Sequence, residues 1–178
     1  MQLLKTIILM LCLSSVTSAG DLIGNINYGE SREIVTNKLS NCKAVKSSMP
    51  SNMFARIGLN GSFTTTQDLA GLKFTLYFNW TDSGGLEEIT YRSDALASYS
   101  YDQRLKQKWQ YAINLLSAIH GRAINAGEYP KKSEVTSDSI QFSHEWKTDS
   151  GYVYLGVGQQ TKKYSLNITF SKFSLNTE

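Results

Sequence analysis

Between residues 72 and 80, apolar and polar side chains alternate without a fault: Leu72, Phe74, Leu76, Phe78 and Trp80 against Lys73, Thr75, Tyr77 and Asn79. A period of two belongs to a β-strand, whose successive side chains point to opposite faces. Asp82-Ser83-Gly84-Gly85 is a turn signal, and residues 86–92 read as the second strand of a hairpin. Three strands of the same period close the chain. Ile140, Phe142, His144 and Trp146 are predicted to share one face of the first. Val153, Leu155 and Val157 oppose Tyr152, Tyr154 and Gly156 in the second. Tyr164, Leu166, Ile168 and Phe170 oppose Ser165, Asn167, Thr169 and Ser171 in the third. Residues 53–59 read as a further strand ending at an Asn60-Gly61 turn, residues 43–52 as a loop, and residues 21–27 as a short leading strand.

Two segments carry the helical period instead. Val35, Leu39 and Cys42 recur at i, i+4, i+7 and predict a short helix over residues 31–41, with Glu30 and Glu33 suiting its N-terminus. The stronger signal is Leu105, Trp109, Ala112, Leu116, Ile119 and Ala123, one apolar stripe along a helix over residues 101–120. Ser100 and Gln103 form a capping-box pattern at its start, and Gly121 suits its end. Residues 124–139 read as a polar, flexible loop.

The order is helix, three strands, helix, three strands. The chain is therefore expected to be α+β, with an antiparallel sheet packed by two helices in a tandem α-β-β-β pseudo-repeat. Hairpin-length turns favour antiparallel pairing, and clean alternation implies one sheet face buried and the other meeting water.

The first residues change the picture of where this domain works. A start with one cation, Lys5, an apolar run over residues 6–13 and a small-residue stretch ending Thr17-Ser18-Ala19 have the pattern of a secretory signal peptide over residues 1–19. Residues 20–178 are then a single domain, and the expected location is periplasmic or secreted. The apolar run is far short of the roughly 20 residues of a membrane span. Cleavage would leave Cys42 as the lone cysteine, so the core must hold the fold without a disulfide. The net charge of +3 is mixed and scattered, which argues against nucleic acid as a partner.

Chemistry-bearing motifs are sparse. The two histidines, His120 and His144, and Cys42 show no ligand spacing for a metal, and no phosphate-binding glycine loop or nucleophile elbow occurs, so no cofactor, metal or catalytic residue is assigned. His144 reads as a core-edge histidine, with a general base as its alternative role, and His120 as a helix-end cation. Glu87, Glu88, Asp102, Glu145 and Asp149 are scattered carboxylates, and sequence alone does not place two of them on one cleft. Asn60, Asn79 and Asn167 begin Asn-x-Ser/Thr sequons.

The distinctive feature is the polar sheet face. Lys73, Thr75, Tyr77 and Asn79, with Tyr152 and Tyr154, and Ser165, Asn167 and Thr169, would form a Tyr/Ser/Thr/Asn surface if their strands share a sheet. Tyrosines give large contact area at low entropic cost, and short polar side chains give adaptable hydrogen bonds. These residues are the candidate binding site, with residues 124–139 as a rim.

The element order, with the Gly29-Glu30-Ser31-Arg32-Glu33-Ile34-Val35 helix start, Leu86-Glu87-Glu88-Ile89 after a glycine turn, and residues 115–121 at the end of the long helix, resembles the β-lactamase-inhibitor-protein-like architecture. The small lipoprotein of the outer-membrane assembly machine has a related, shorter unit. The resemblance implies paired α/β units building one sheet that grips a protein. A non-enzymatic binding module of inhibitor, immunity or envelope-assembly type is the first expectation. An envelope hydrolase or a glycan-binding protein acting on cell-wall material is the alternative.

Overall fold

The computed structural model describes residues 23–69 and 71–175. The predicted leader and its cleavage point lie outside the described residues, as do positions 21 and 22 of the expected leading strand. The remainder of that segment opens with a 3-10 turn, Ile23–Asn25. Helix α1, Arg32–Ser40, is followed by strands β1 (Val45–Ser47), β2 (Phe63–Thr65), β3 (Phe74–Trp80) and β4 (Leu86–Ser93). After a short β5 (Leu96–Ala97) comes helix α2, Lys106–His120, then β6 (Asn125–Ala126), β7 (Ile140–Lys147), β8 (Tyr152–Gln160) and β9 (Lys163–Ser171). Among the described residues these strands make one nine-stranded antiparallel sheet in the order β1-β2-β3-β4-β9-β8-β7-β6, with β5 also pairing β9. The α+β architecture is therefore as the periodicity predicts. Four strands, β1 to β4, follow α1 and four, β6 to β9, follow α2, with β5 between the halves; β1, β2 and β6, of two or three residues, are too short to show a period.

The two halves meet at β4 and β9, and the register there is self-complementary. Ile89 opposes Phe170, Thr90 opposes Thr169 and Tyr91 opposes Ile168. An Ile-Thr-aromatic triplet thus pairs with a second Ile-Thr-aromatic triplet about a pseudo-dyad at the threonines. The relation extends outward, since Tyr77 opposes Thr90 on one side and Tyr154 opposes Thr169 on the other.

Both helices lie on the same sheet face. Val35 and Leu39 of α1 pack with Leu76, Phe78, Leu86, Ile89 and Phe63. Leu105, Trp109, Ala112 and Leu116 pack with Phe74, Trp146, Val153, Leu155, Val157, Leu166 and Ile168. Tyr91 touches both clusters and joins them. Burial of aliphatic and aromatic side chains at about 25 cal/mol per Å2 is the main force holding the helices down. Ser31 caps α1, its Oγ accepting from the Ile34 N–H.

Several expectations are corrected. Residues 53–59 are not a strand: Ser51–Met53 and Phe54–Ile57 form consecutive 3-10 and α turns. Their backbone groups are satisfied locally, and Phe54 lays its ring 5.3 Å from that of Phe63, in the strand that occupies the expected place. Ser100 does not cap the long helix. It is helical itself and buried, and Tyr101–Leu105 form a π turn ahead of α2. The wide turn leaves the Tyr101 carbonyl to accept from both the Lys106 N–H and the Tyr129 hydroxyl, while the Tyr101 hydroxyl donates to Pro130 O. Ile119, expected in the buried stripe, is 41% exposed, because the helix runs past the sheet there. The 124–139 segment is anchored rather than loose: Ile124 and Gly127 N–H groups bond along β7, and Val135 sits in the core.

Strand β7, the third from the end, departs most from its period. A bulge between Phe142 and His144 splits the predicted common face. His144 and Trp146 point to the helices, opposite Leu155 and Val153, whereas Phe142 and Ile140 oppose Gly156 and Gly158 on the other face. The two glycines make room for them. A Cβ on Gly156 would lie 2.7 Å from Gln141 O, 2.8 Å from Ile140 Cγ2 and 2.9 Å from Phe142 Cδ1. Gly156→Ala is expected to cost about 1–3 kcal/mol, as overpacking does, measured as a lower urea midpoint with unchanged slope. No loss of stability would mean that Ile140 and Phe142 are free to move aside.

Candidate polar-face binding site

The face away from the helices is polar, yet its centre is not wet. Ser165, Asn167, Thr169, Ser171 and Tyr154 are only 0–6% exposed, which corrects the expectation of an open solvated face. In the row across the sheet, Tyr77-Thr90-Thr169-Tyr154-Glu145, two neighbouring pairs bond through their side chains, Thr90 with Thr169 and Tyr154 with Glu145. The Thr90 and Thr169 hydroxyls are 2.9 Å apart, and Thr90 Oγ1 donates to Glu88 Oε1 at 3.0 Å. Asn167 Nδ2 donates to Ser165 O and Oγ. Buried polar groups are tolerated only when so satisfied.

The pseudo-dyad relates Tyr77 to Tyr154, but the two surroundings differ. Tyr154 is sealed. Its hydroxyl donates to Glu145 Oε1 at 2.9 Å and accepts from the Leu175 N–H at 2.8 Å, and Asn125 Nδ2 donates to Glu145 Oε2. Phe142 covers it, ring centroids 5.3 Å apart. Burial pushes the Tyr154 phenol up, and the Glu145 carboxylate adds to the shift against opposing hydrogen bonds from the chain end. Tyr77 instead is half-buried at the accessible edge, with Arg92 lying 4.3 Å over its ring and Thr75 opposite Arg92. Arg92 Nε in turn donates to Asn167 Oδ1 at 3.4 Å.

The nine sequence-chosen residues therefore divide. Lys73 and Asn79 are exposed, and Thr75, Tyr77 and Tyr152 are half-buried, whereas Tyr154, Ser165, Asn167 and Thr169 form a buried floor. All nine lie on the one face, but only five can meet a ligand as folded. Arg92, Glu88, Thr90 and Glu145 share the face and were missed. Glu88, Thr90 and Arg92 alternate with Ile89 and Tyr91, so their register was readable. Glu145 alternates with His144 and Trp146, so its side was readable too; the bulge at Ser143 moves Ile140 and Phe142 onto its face instead.

Other chemistry-bearing groups are dispersed. His144 is 8% exposed between Trp109 and Trp146, and burial holds its imidazole below the ordinary pKa, as it does for His120. The neighbouring Ser143 Oγ accepts from Trp109 Nε1 at 2.8 Å, donates to Leu155 O at 3.1 Å and lies 3.2 Å from His144 Nδ1. Bonded to both the Trp109 N–H and the Leu155 carbonyl, that hydroxyl is a structural plug for the bulge. Glu88 and Glu145 face the same side from β4 and β7, three strand spacings apart, or about 14 Å between backbones. Paired glycosidase carboxylates stand roughly 5–9.5 Å apart. Among the described residues no three His, Cys, Asp or Glu side chains are grouped to hold a metal, and no helix is long and apolar enough to cross a membrane.

Two measurements check this geometry. Tyr154→Phe strips a hydrogen bond from buried Glu145 and is expected to cost about 2 kcal/mol, whereas Tyr77→Phe changes stability by less than about 0.5 kcal/mol. Equal effects in chemical denaturation would contradict the asymmetry of the two halves. The second concerns Glu88, whose carboxyl is raised by burial, an effect that the neighbouring Glu87 charge reinforces and the Thr90 hydrogen bond opposes. A carboxyl with a raised folded pKa contributes stability that is fully present below its unfolded pKa and is lost as pH rises through the folded value. Glu88→Gln should therefore raise Tm at pH 7 and show little difference from wild type below about pH 4. A benefit that grows on acidification would refute the assignment.

No protein-family model matches this chain, and no characterised protein or solved structure is detectably similar to it.

Proposed function

We propose that this chain is an exported, non-enzymatic binding module that holds a protein partner on the accessible half of the polar sheet face. The contact strip is Lys73, Thr75, Tyr77, Asn79, Arg92 and Tyr152. The observation that carries the reading is the floor beneath that strip. Thr90 with Thr169 and Asn167 with Ser165 are buried, hydrogen-bonded pairs, so the side chains above stand on a rigid base. A preorganised surface loses less conformational entropy on binding, and Tyr and Arg are the side chains that most often dominate interface energies.

The predicted leader supports export, to the periplasm or the medium. The resemblance of the element order to inhibitor-type paired units supports a protein rather than a glycan partner. The glycan-binding alternative would need a free aromatic face, and Arg92 occupies one face of Tyr77. The hydrolase alternative gains nothing from the saturated Ser143 hydroxyl or from the wide separation of Glu88 and Glu145.

The test is capture by the purified protein from secreted and envelope extract of its own source, followed by affinity measurement on the captured protein. Tyr77→Ala is expected to weaken binding at least about tenfold, the scale of an interface hot spot, with a native melting transition. Tyr154 is not a suitable probe, since removing it uncovers Glu145. Full binding by Tyr77→Ala would place the interface elsewhere.

A further inference from the structure

We infer that the partner presents a carboxylate, from an acidic side chain, to the guanidinium fork of Arg92. This deepens the binding-face reading and rests on it. Arg92 is held from two directions. Its guanidinium lies 4.3 Å over the Tyr77 ring, and its Nε donates to Asn167 Oδ1. The fully buried Asn167 cannot turn away, because its Nδ2 donates to Ser165 O at 3.0 Å and Oγ at 3.2 Å. Gly158 backs onto the same amide so closely that a Cβ there would sit 2.9 Å from Nδ2.

A guanidinium carries a charge that a neighbouring Asp or Glu would neutralise. Here the described residues supply none. The ion pairs recorded among them are Lys38–Glu30 and Lys131–Glu134, and no described Asp or Glu lies within 4.0 Å of the Arg92 nitrogens. The terminal nitrogens of Arg92 have no acceptor among the described residues, and they are not among the buried unpartnered atoms, so they reach solvent. The fork thus points outward, oriented and uncompensated, with the Thr75 hydroxyl directly opposite.

A planar five-donor fork matches a carboxylate in two parallel hydrogen bonds. The surroundings favour that monoanion over phosphate. Lys73 is the other cation of the strip, but Asp94 lies beside it, its N–H bonded to Lys73 O, and Glu88 stands farther along β4. The other cation held on this face, Lys147 over the Tyr152 ring, lies in the row of Ser171 and Glu88, four residues along β4 from Arg92, so among the described residues no second fixed cation stands beside the fork to balance a dianion.

The test follows the Arg92 Nε–H resonance of 15N-labelled protein at low salt during titration with a short oligoglutamate peptide, the matching oligolysine peptide, or inorganic phosphate. Oligoglutamate is expected to shift Arg92 Nε–H and the Tyr77 ring saturably. Oligolysine should leave both in place, and phosphate should bind about tenfold or more weakly. Arg92→Lys keeps the charge but loses the fork, and should weaken the oligoglutamate response at least about tenfold. The wild-type titrations decide the matter if that variant does not fold. No saturable shift at Arg92, equal binding by Arg92→Lys, or tighter binding of phosphate would each overturn the inference. The two readings fail separately: a captured partner that needs Tyr77 but tolerates Arg92→Lys leaves the binding face standing and removes the carboxylate.

Discussion

The structure depends on the antiparallel seam between β4 and β9. Each half of the chain offers a helix and a small meander with one apolar face. Joining the two meanders edge to edge gives one sheet wide enough for two helices side by side, and Tyr91 locks their cores together. The seam also removes the two edges most in need of cover, since β4 and β9 each gain a partner on their second side. What remains at the outer margins is short: β1 and β6 have three and two residues.

The same seam explains the polar face. A pseudo-dyad at Thr90 and Thr169 brings two equivalent threonines within hydrogen-bond distance, and the row continues to a tyrosine on each side. The halves then diverge around those tyrosines. In the second half a bulge turns Ile140 and Phe142 onto glycines of β8, and the chain end bonds back to Tyr154. In the first half no such cover exists among the described residues, and the place next to Tyr77 is taken by an arginine. One half of a pseudo-symmetric surface is buried, and the other keeps exposed, oriented side chains.

Much of this was legible in the sequence. The alternation of β3, β8 and β9 and the stripe of α2 specify the layers, because one buried face imposes a period that survives any local irregularity. Three things escaped. Strands of two or three residues, β1 and β6, have no period to read. Local backbone solutions, the turns at residues 51–57 and the π turn at Tyr101, depend on tertiary contacts with Phe63 and with Tyr129. The bulge at Ser143 changes the side on which every preceding β7 residue lies, and only the geometry of Trp109, Ser143 and Leu155 reveals why it is there. The residues that share the polar face were read correctly, but its wetness was not. Hydroxyl and amide side chains at strand positions read as solvated, whereas here they pair across strands and bury one another.

The most direct test of the seam is native-state hydrogen exchange of the backbone amides in β3, β4, β8 and β9. If the β4–β9 pairing makes the two halves one cooperative unit, the slowest amides on both sides of the seam will exchange with the same free energy, equal to that of global unfolding. If β3 and β4 exchange through a cheaper opening that leaves β8 and β9 protected, the halves are separate units. The rigid floor on which the binding strip is argued to stand would then not exist.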